Sequence, residues 1–270
     1  MREQAQHIQT NAAHQRTIRS IISNLSSPDP LSRRQAIDRL QSIGGSCVSS
    51  LIVVLHTRRP AVREAAAWAL GEIADPRAVP ALLAALATER DLAVRDSIAW
   101  ALELIGDESA VPALLDALNG CTNHTNADTF AEALGAFPGP VCITGLVSAL
   151  QSPCGDVRQA AAWGLAKHLL NGCTDARIVP TLTGLLSDDN AKVRWVAARA
   201  LHDFSKEHAD ALHASIDQLA AAAYDATESP WGDPHSVSAL AVAALERIGT
   251  PRARAIVRTW HQRQQRSSAQ

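Results

Sequence analysis

The chain has 270 residues, 47% of them apolar but only 4% aromatic, and a formal net charge of −2. So few rings leave Ala, Leu, Val and Ile to build the interior, which suits close helix packing, and so small a charge gives no field to gather a polyanion, which disfavours nucleic acid as a partner. No apolar run of membrane-spanning length occurs, and the five cysteines (Cys47, Cys121, Cys142, Cys154, Cys173) never form C-x-x-C. The expectation is therefore a cytoplasmic chain with reduced thiols, no membrane contact, no metal site and no cofactor.

In chain order, residues 1–26 read as a polar N-terminal capping segment and SPDPLSRRQAIDRLQSIG (27–44) as a first, weak repeat unit. The segments VREAAAWALGEIADPRAVPALLAAL (62–86) and VRDSIAWALELIGDESAVPALLDAL (94–118) then match at a shift of 32, with Arg63 over Arg95 and Trp68 over Trp100. A third copy keeps Ala133, Leu134 and Gly135 under Ala69, Leu70 and Gly71 but has lost its Arg and its Trp, and follows the polar loop NGCTNHTNADT. Further copies begin at DVRQAAAWGLAKHL (156–169) and DDNAKVRWVAARAL (188–201). The loop ESPWGDPHS (228–236) interrupts the series before SVSALAVAALERIG (236–249), and residues 261–270 read as a flexible tail. Residues 27–260 are thus expected to form one repeat array.

Each unit predicts two helices. Val62, Ala66, Ala69, Leu70 and Ile73 recur at the 3, 4, 7 spacing of one helical face. Asp75-Pro76 ends that helix, and Pro80 sits in the first turn of the next, where a missing N–H costs nothing. A single hairpin cannot bury its apolar face, so hairpins must stack. The fold expected is all-α: an α-α superhelical solenoid of about seven hairpins enclosing a groove.

At 100° per residue, the face opposite the packed one is occupied in successive units by Asp38, Trp68, Trp100, Glu132, Trp163, Arg199 and Ala243. One turn earlier the row reads Arg34, Glu64, Asp96, Asp128, Gln159, Trp195 and Ala239. Four of the six tryptophans fall in these rows. Either they form an exposed ladder for a partner's side chains or a planar ligand, or each lies flat over the neighbouring unit's Ala-rich helix.

The pattern D-x-x-V-R-x-A-A-x-A-L-G-x-I followed by A-V-P-A-L-L-x-A-L resembles the short HEAT repeats named from phycobilin lyases. That resemblance implies an inner V-R-x-A-A-x-A-L-G helix lining a concave side and an outer V-P-A-L-L helix. It also implies three functional settings: bilin-handling lyases, an iron-dependent deoxyhypusine hydroxylase, and protein-binding scaffolds. The hydroxylase carries His-Glu pairs one turn before the Leu-Gly. The corresponding pairs here are Glu64-Ala65, Asp96-Ser97, Asp128-Thr129, Gln159-Ala160 and Trp195-Val196. Without imidazoles an iron site is not expected.

The reading favours a binding scaffold that holds a protein or peptide partner in its groove, with Glu64, Trp68, Asp96, Trp100, Asp128, Glu132, Trp163, Trp195, Arg199 and His202 lining it. The alternative is a small-molecule-handling, lyase-like enzyme with a planar ligand on the tryptophans and Asp96, Glu132 or His202 as acid–base groups. Trp231, in the interrupting loop, is placed over one end of the groove.

Overall fold

The computed structural model describes residues 2–122 and 126–267, without the side chains of 2–11 and 267. Among the described residues all regular structure is helical. A first helix, α1 (Arg2–Ser23), precedes seven hairpins: α2 (Pro30–Ile43) with α3 (Val48–Val54), α4 (Pro60–Ile73) with α5 (Val79–Thr88), α6 (Leu92–Ile105) with α7 (Val111–Asn119), α8 (Ala127–Leu134) with α9 (Pro140–Ala149), α10 (Gly155–Leu170) with α11 (Ile178–Gly184), α12 (Ala191–His208) with α13 (Ile216–Ala222), and α14 (Val237–Ile248) with α15 (Pro251–Ser267). The all-α solenoid expected from the sequence is the fold observed. Where one array was expected over 27–260, contacts group the chain into two compact units, Met1–Ala117 and Leu118–Gln270.

Local chemistry sets the boundaries. Asp29, Asp91, Asn190 and Ser236 each cap a first helix by accepting from a backbone N–H two or three residues on, which satisfies donors the helix cannot. Between hairpin arms Asp75 and Asp107 accept from Arg77 N and Ser109 N, both at 2.9 Å. Gly106 and Gly249 end α6 and α14 in the left-handed region; Ala74 takes that place after α4 with φ 53°.

Within each unit the first helices of successive hairpins pack side by side, α2 on α4 on α6, and α8 on α10 on α12 on α14. Burial is therefore wider than the single face read from periodicity. In α4, Ala65 and Ala67 join Val62, Ala66, Ala69 and Leu70 in the interior. Small residues allow this close approach: a Cβ on Gly71 would lie 2.8 Å from Ala101 Cα, and one on Gly164 2.9 Å from Ala131 O.

The recurrent arginine, preceded by Val in every case but Arg33, ties the start of each first helix to the turn before it. Arg33, Arg63, Arg95, Arg158 and Arg194 each donate from Nη1 to the carbonyl six residues earlier, Ser27, Thr57, Glu89, Ser152 and Asp188, at 2.7–3.3 Å. Three of them also grip a carboxylate at a later turn. Arg63 reaches Glu89 at 2.7 and 2.8 Å, Arg158 reaches Asp188 at 3.0 and 2.9 Å, and Arg194 reaches Asp225 at 2.6 Å.

The chain beyond residue 260, read as a flexible tail, continues as helix α15 to Ser267, with Trp260 Nε1 donating to Ala223 O at 2.8 Å. Proline at the start of α15 and the buried Ala253 and Val257 give it a face to dock. Residues 268–270 of that segment lie outside the described residues.

Candidate functional site

The tryptophans of the repeat register meet different surroundings. In the N-terminal unit Trp68 on α4 and Trp100 on α6 are half-buried and pack on one another, centroids 4.7 Å apart. Trp68 Nε1 donates to Glu72 at 3.2 Å and the Arg34 guanidinium lies over its ring at 5.8 Å. Glu64 and Asp96, one turn earlier on the same helices, are half-buried. These two tryptophans pack against the neighbouring hairpin, Trp100 also lying against the Gly71 position of α4.

In the C-terminal unit α8 carries Glu132 at the register position, so Trp163 on the neighbouring α10 has no ring to lie against from that side. Its ring stays 43% exposed, and a groove of about 870 Å³ opens beside it. The groove is lined by Asp128 and Glu132 from α8, Gln159, Trp163, Lys167 and Leu170 from α10, Trp195, Arg199 and Asp203 from α12, and Trp231 and Asp233 from the 228–236 loop.

Trp195 corrects the helical wheel, which points it to solvent. It is only 4% exposed. The interrupting loop folds across it: Trp231 meets its ring edge-on at 5.4 Å and His235 O accepts from its Nε1 at 2.9 Å. A wheel counts only the helix that carries a residue and takes no account of a loop some 36 positions along the chain. Trp231, 52% exposed, instead offers its ring at the groove.

Arg199 is neutralised within the lining. Its Nε donates to Asp203 at 2.7 Å, and its Nη1 is paired with Asp233. Burial pushes the Asp203 carboxyl up, but Lys206 and Arg199 together outweigh it and hold the group below the ordinary range. The His235 backbone N–H, then its ring, then Arg199 lower Asp233 to about 2. His202, expected among the lining residues, lies outside the groove, 3.2 Å from Asp203 Oδ1 and alongside the His235 ring at 6.4 Å. Burial, and then the Arg247 charge, lower its pKa despite Asp203, so it stays neutral at physiological pH.

Asp128 and Glu132 sit one turn apart on α8. Asp128 keeps an exposed outer surface, yet its carboxyl is turned toward Gln159, whose Nε2 donates to it at 2.9 Å. Loss of water raises that carboxyl above the ordinary value, against the lowering effect of Gln159. Lys167 Nζ donates to Glu132 O at 2.9 Å.

The site residues expected from sequence therefore divide. Asp128, Glu132, Trp163, Trp195 and Arg199 converge on one groove; Glu64, Trp68, Asp96 and Trp100 belong to the N-terminal unit. Sequence reasoning missed Lys167, Asp203 and Asp233. Asp203, four residues after Arg199, carries a usable signal as a helical ion-pair partner.

A family model described as HEAT repeats matches residues 18–103, 48–135 and 143–230. Among solved structures, YibA of Escherichia coli is 19% identical with a TM-score of 0.55, the match covering 89% of this chain and 84% of that one; the likeness shows the fold. The complex of CpcE and CpcF of phycocyanin lyase from a Nostoc species is similar at 22% identity and TM-score 0.45, over 90% and 92% of the two chains. Human deoxyhypusine hydroxylase is similar at 22% identity and TM-score 0.39, over 93% and 91%. No curated protein matches the sequence.

Proposed function

The chain belongs to the HEAT-repeat family, and from that premise we propose that it is a binding module which holds a protein or peptide partner in the groove of its C-terminal unit, with Trp163 as the anchor. The observation that carries this reading is the local break in register. Glu132 stands where a ring would cover Trp163, and the exposed faces of Trp163, Trp231 and Leu170 gather around the space that results. Partly exposed tryptophans in a concave, otherwise polar setting are the side chains that dominate binding energies when a partner's residue buries them.

A random-peptide display library selected on the purified protein should return binders that change tryptophan fluorescence and lose roughly tenfold or more in affinity to Trp163→Ala, the loss typical of an anchor residue. A selection that returns only binders indifferent to both Trp163→Ala and Trp231→Ala would sink the reading.

A second reading has one observation in its favour, since about 870 Å³ is also the size of a small-molecule site. In that case acid–base work falls to Asp128 and Glu132, because Asp96 is in the other unit and His202 lies off the groove. Saturable quenching by a planar compound, abolished in Trp163→Ala and competitive with the selected peptides, would favour it.

A further inference from the structure

We propose that the occupant of the groove in the C-terminal unit is cationic: an arginine or lysine side chain on an extended peptide, laid against Trp163 and Trp231 and ion-paired with Glu132 and Asp128. This rests on the reading of the groove as a peptide-binding surface.

The charges of the lining carry the argument. Four carboxylates (Asp128, Glu132, Asp203, Asp233) face two cations (Lys167, Arg199). They do not share their charge evenly. Arg199, Asp203 and Asp233 form a closed set, because Arg199 bridges both acids, Asp203 also receives Lys206 at 2.6 Å, and Asp233 receives the His235 ring at 2.8 Å. This side of the groove is saturated and has little to offer a ligand.

The opposite wall differs. Among the described residues neither Asp128 nor Glu132 is held in an ion pair. Lys167 donates to the main-chain oxygen of Glu132, and the charge of Lys192, which is ion-paired with Asp156 at 3.5 Å, acts on Asp128 but is outweighed there by burial. The two carboxylates are four residues apart on one helix, a spacing at which like charges repel, and the Glu132 charge is among the causes that raise the Asp128 carboxyl. A cation seated between them removes the repulsion and replaces lost hydration with charge-assisted hydrogen bonds.

The aromatic faces point the same way. Trp163 is 43% and Trp231 52% exposed, and an indole face attracts a cation placed over it, more strongly when water is excluded. Arginine meets both demands at once, since its planar guanidinium stacks on a ring while its edge pairs bidentately with a carboxylate. A carboxylate-bearing ligand would meet the same rings but face the like charges of Asp128 and Glu132. The volume, about 870 Å³, leaves room for the backbone on either side of one such side chain.

The test uses the full chain and three fluorescein-labelled nonapeptides of Gly and Ser, carrying two central arginines, two citrullines or two glutamates. Binding is read by anisotropy at physiological salt. The arginine peptide should bind roughly tenfold more tightly than its neutral isostere, citrulline, and the glutamate peptide most weakly, as charge complementarity requires. Glu132→Gln should reduce affinity for the arginine peptide several-fold and leave the citrulline peptide unchanged, while Trp163→Ala should weaken both.

Equal binding of arginine and citrulline peptides, with Trp163→Ala still weakening both, would overturn the cationic preference and leave the peptide-binding reading standing. Tighter binding of the glutamate peptide would do the same. No binding by any of the three overturns the preference and counts against the wider reading too. The comparison among peptides is made on the unaltered protein, so it does not depend on a variant folding.

Discussion

The tryptophan pair on α4 and α6 and Trp163 on α10 start from the same sequence register and end in different roles. Trp68 and Trp100 succeed one another in the register, so each ring finds the other and both become packing. Trp163 is preceded in its row by Glu132, and its exposed face becomes part of a groove wall. What decides whether a repeated aromatic is structural or available is thus whether an adjacent unit carries a ring at the same place: Trp68 and Trp100 supply one another, whereas Trp163 stands between Glu132 and Arg199. The arginine ties, by contrast, are the same in both units, since Arg63 with Glu89 repeats as Arg158 with Asp188. The two units therefore share their joints and differ in their faces.

Shared joints should have similar energies. Arg63→Ala and Arg158→Ala each leave a largely buried carboxylate without its cation and a carbonyl without its donor. Each should cost about 2–3 kcal/mol, somewhat less than for a fully buried pair because 13–16% of each arginine side chain still reaches water. Urea unfolding of the two variants should give like values; a difference approaching the whole effect would show that the ties are not equivalent.

The tryptophans should separate where the arginines do not. Trp100→Ala removes a ring packed on Trp68 and lying 3.1 Å from the Cβ position of Gly71, and should cost about 2 kcal/mol. Trp163→Ala removes a ring with an open face and should cost below about 1 kcal/mol in stability while lowering peptide affinity roughly tenfold or more. Equal losses of stability would break the comparison.

Acid titration reads the Arg63 joint from its carboxylate side. The Arg63 guanidinium, opposed by burial, lowers Glu89 from 4.5 to about 2. A carboxyl depressed in the folded state adds stability that is complete above about pH 4.5 and is lost as the pH falls toward 2. Other lowered carboxylates respond in the same window, so the quantity to measure is the stability difference between the protein and Glu89→Gln. That difference should be constant at neutral pH and shrink steadily below pH 4.5.

The repeat, the hairpin count, and the helix boundaries at Asp75 and Pro80 were legible in the sequence because they depend on spacing and on local chemistry that acts within a few residues. The acidic wall was legible for the same reason, Asp128 and Glu132 sharing one face of one helix. Trp231 was placed over one end of the groove from the position of its loop, which interrupts the array. The burial of Trp195 was not legible, since it depends on the path of that same loop. Nor was the neutralisation of Arg199, which Asp233 completes from 34 residues away. The Arg63 and Arg95 match was visible as a pattern, but its meaning lies in carbonyls that no residue type advertises.

The residues six places before Arg95 and Arg194 have a consequence for how such a chain can lengthen. Glu89 gives its carboxylate to Arg63 and its carbonyl to Arg95; Asp188 gives its carboxylate to Arg158 and its carbonyl to Arg194. One turn residue thus serves as socket for the unit behind and for the unit ahead. A stretch of gene copied from one such turn to the next and inserted in frame brings a complete plug and a complete socket, so the new joint is correct from the moment of duplication. Only the outward row must then be altered by selection, one side chain at a time, for the added length to acquire a use.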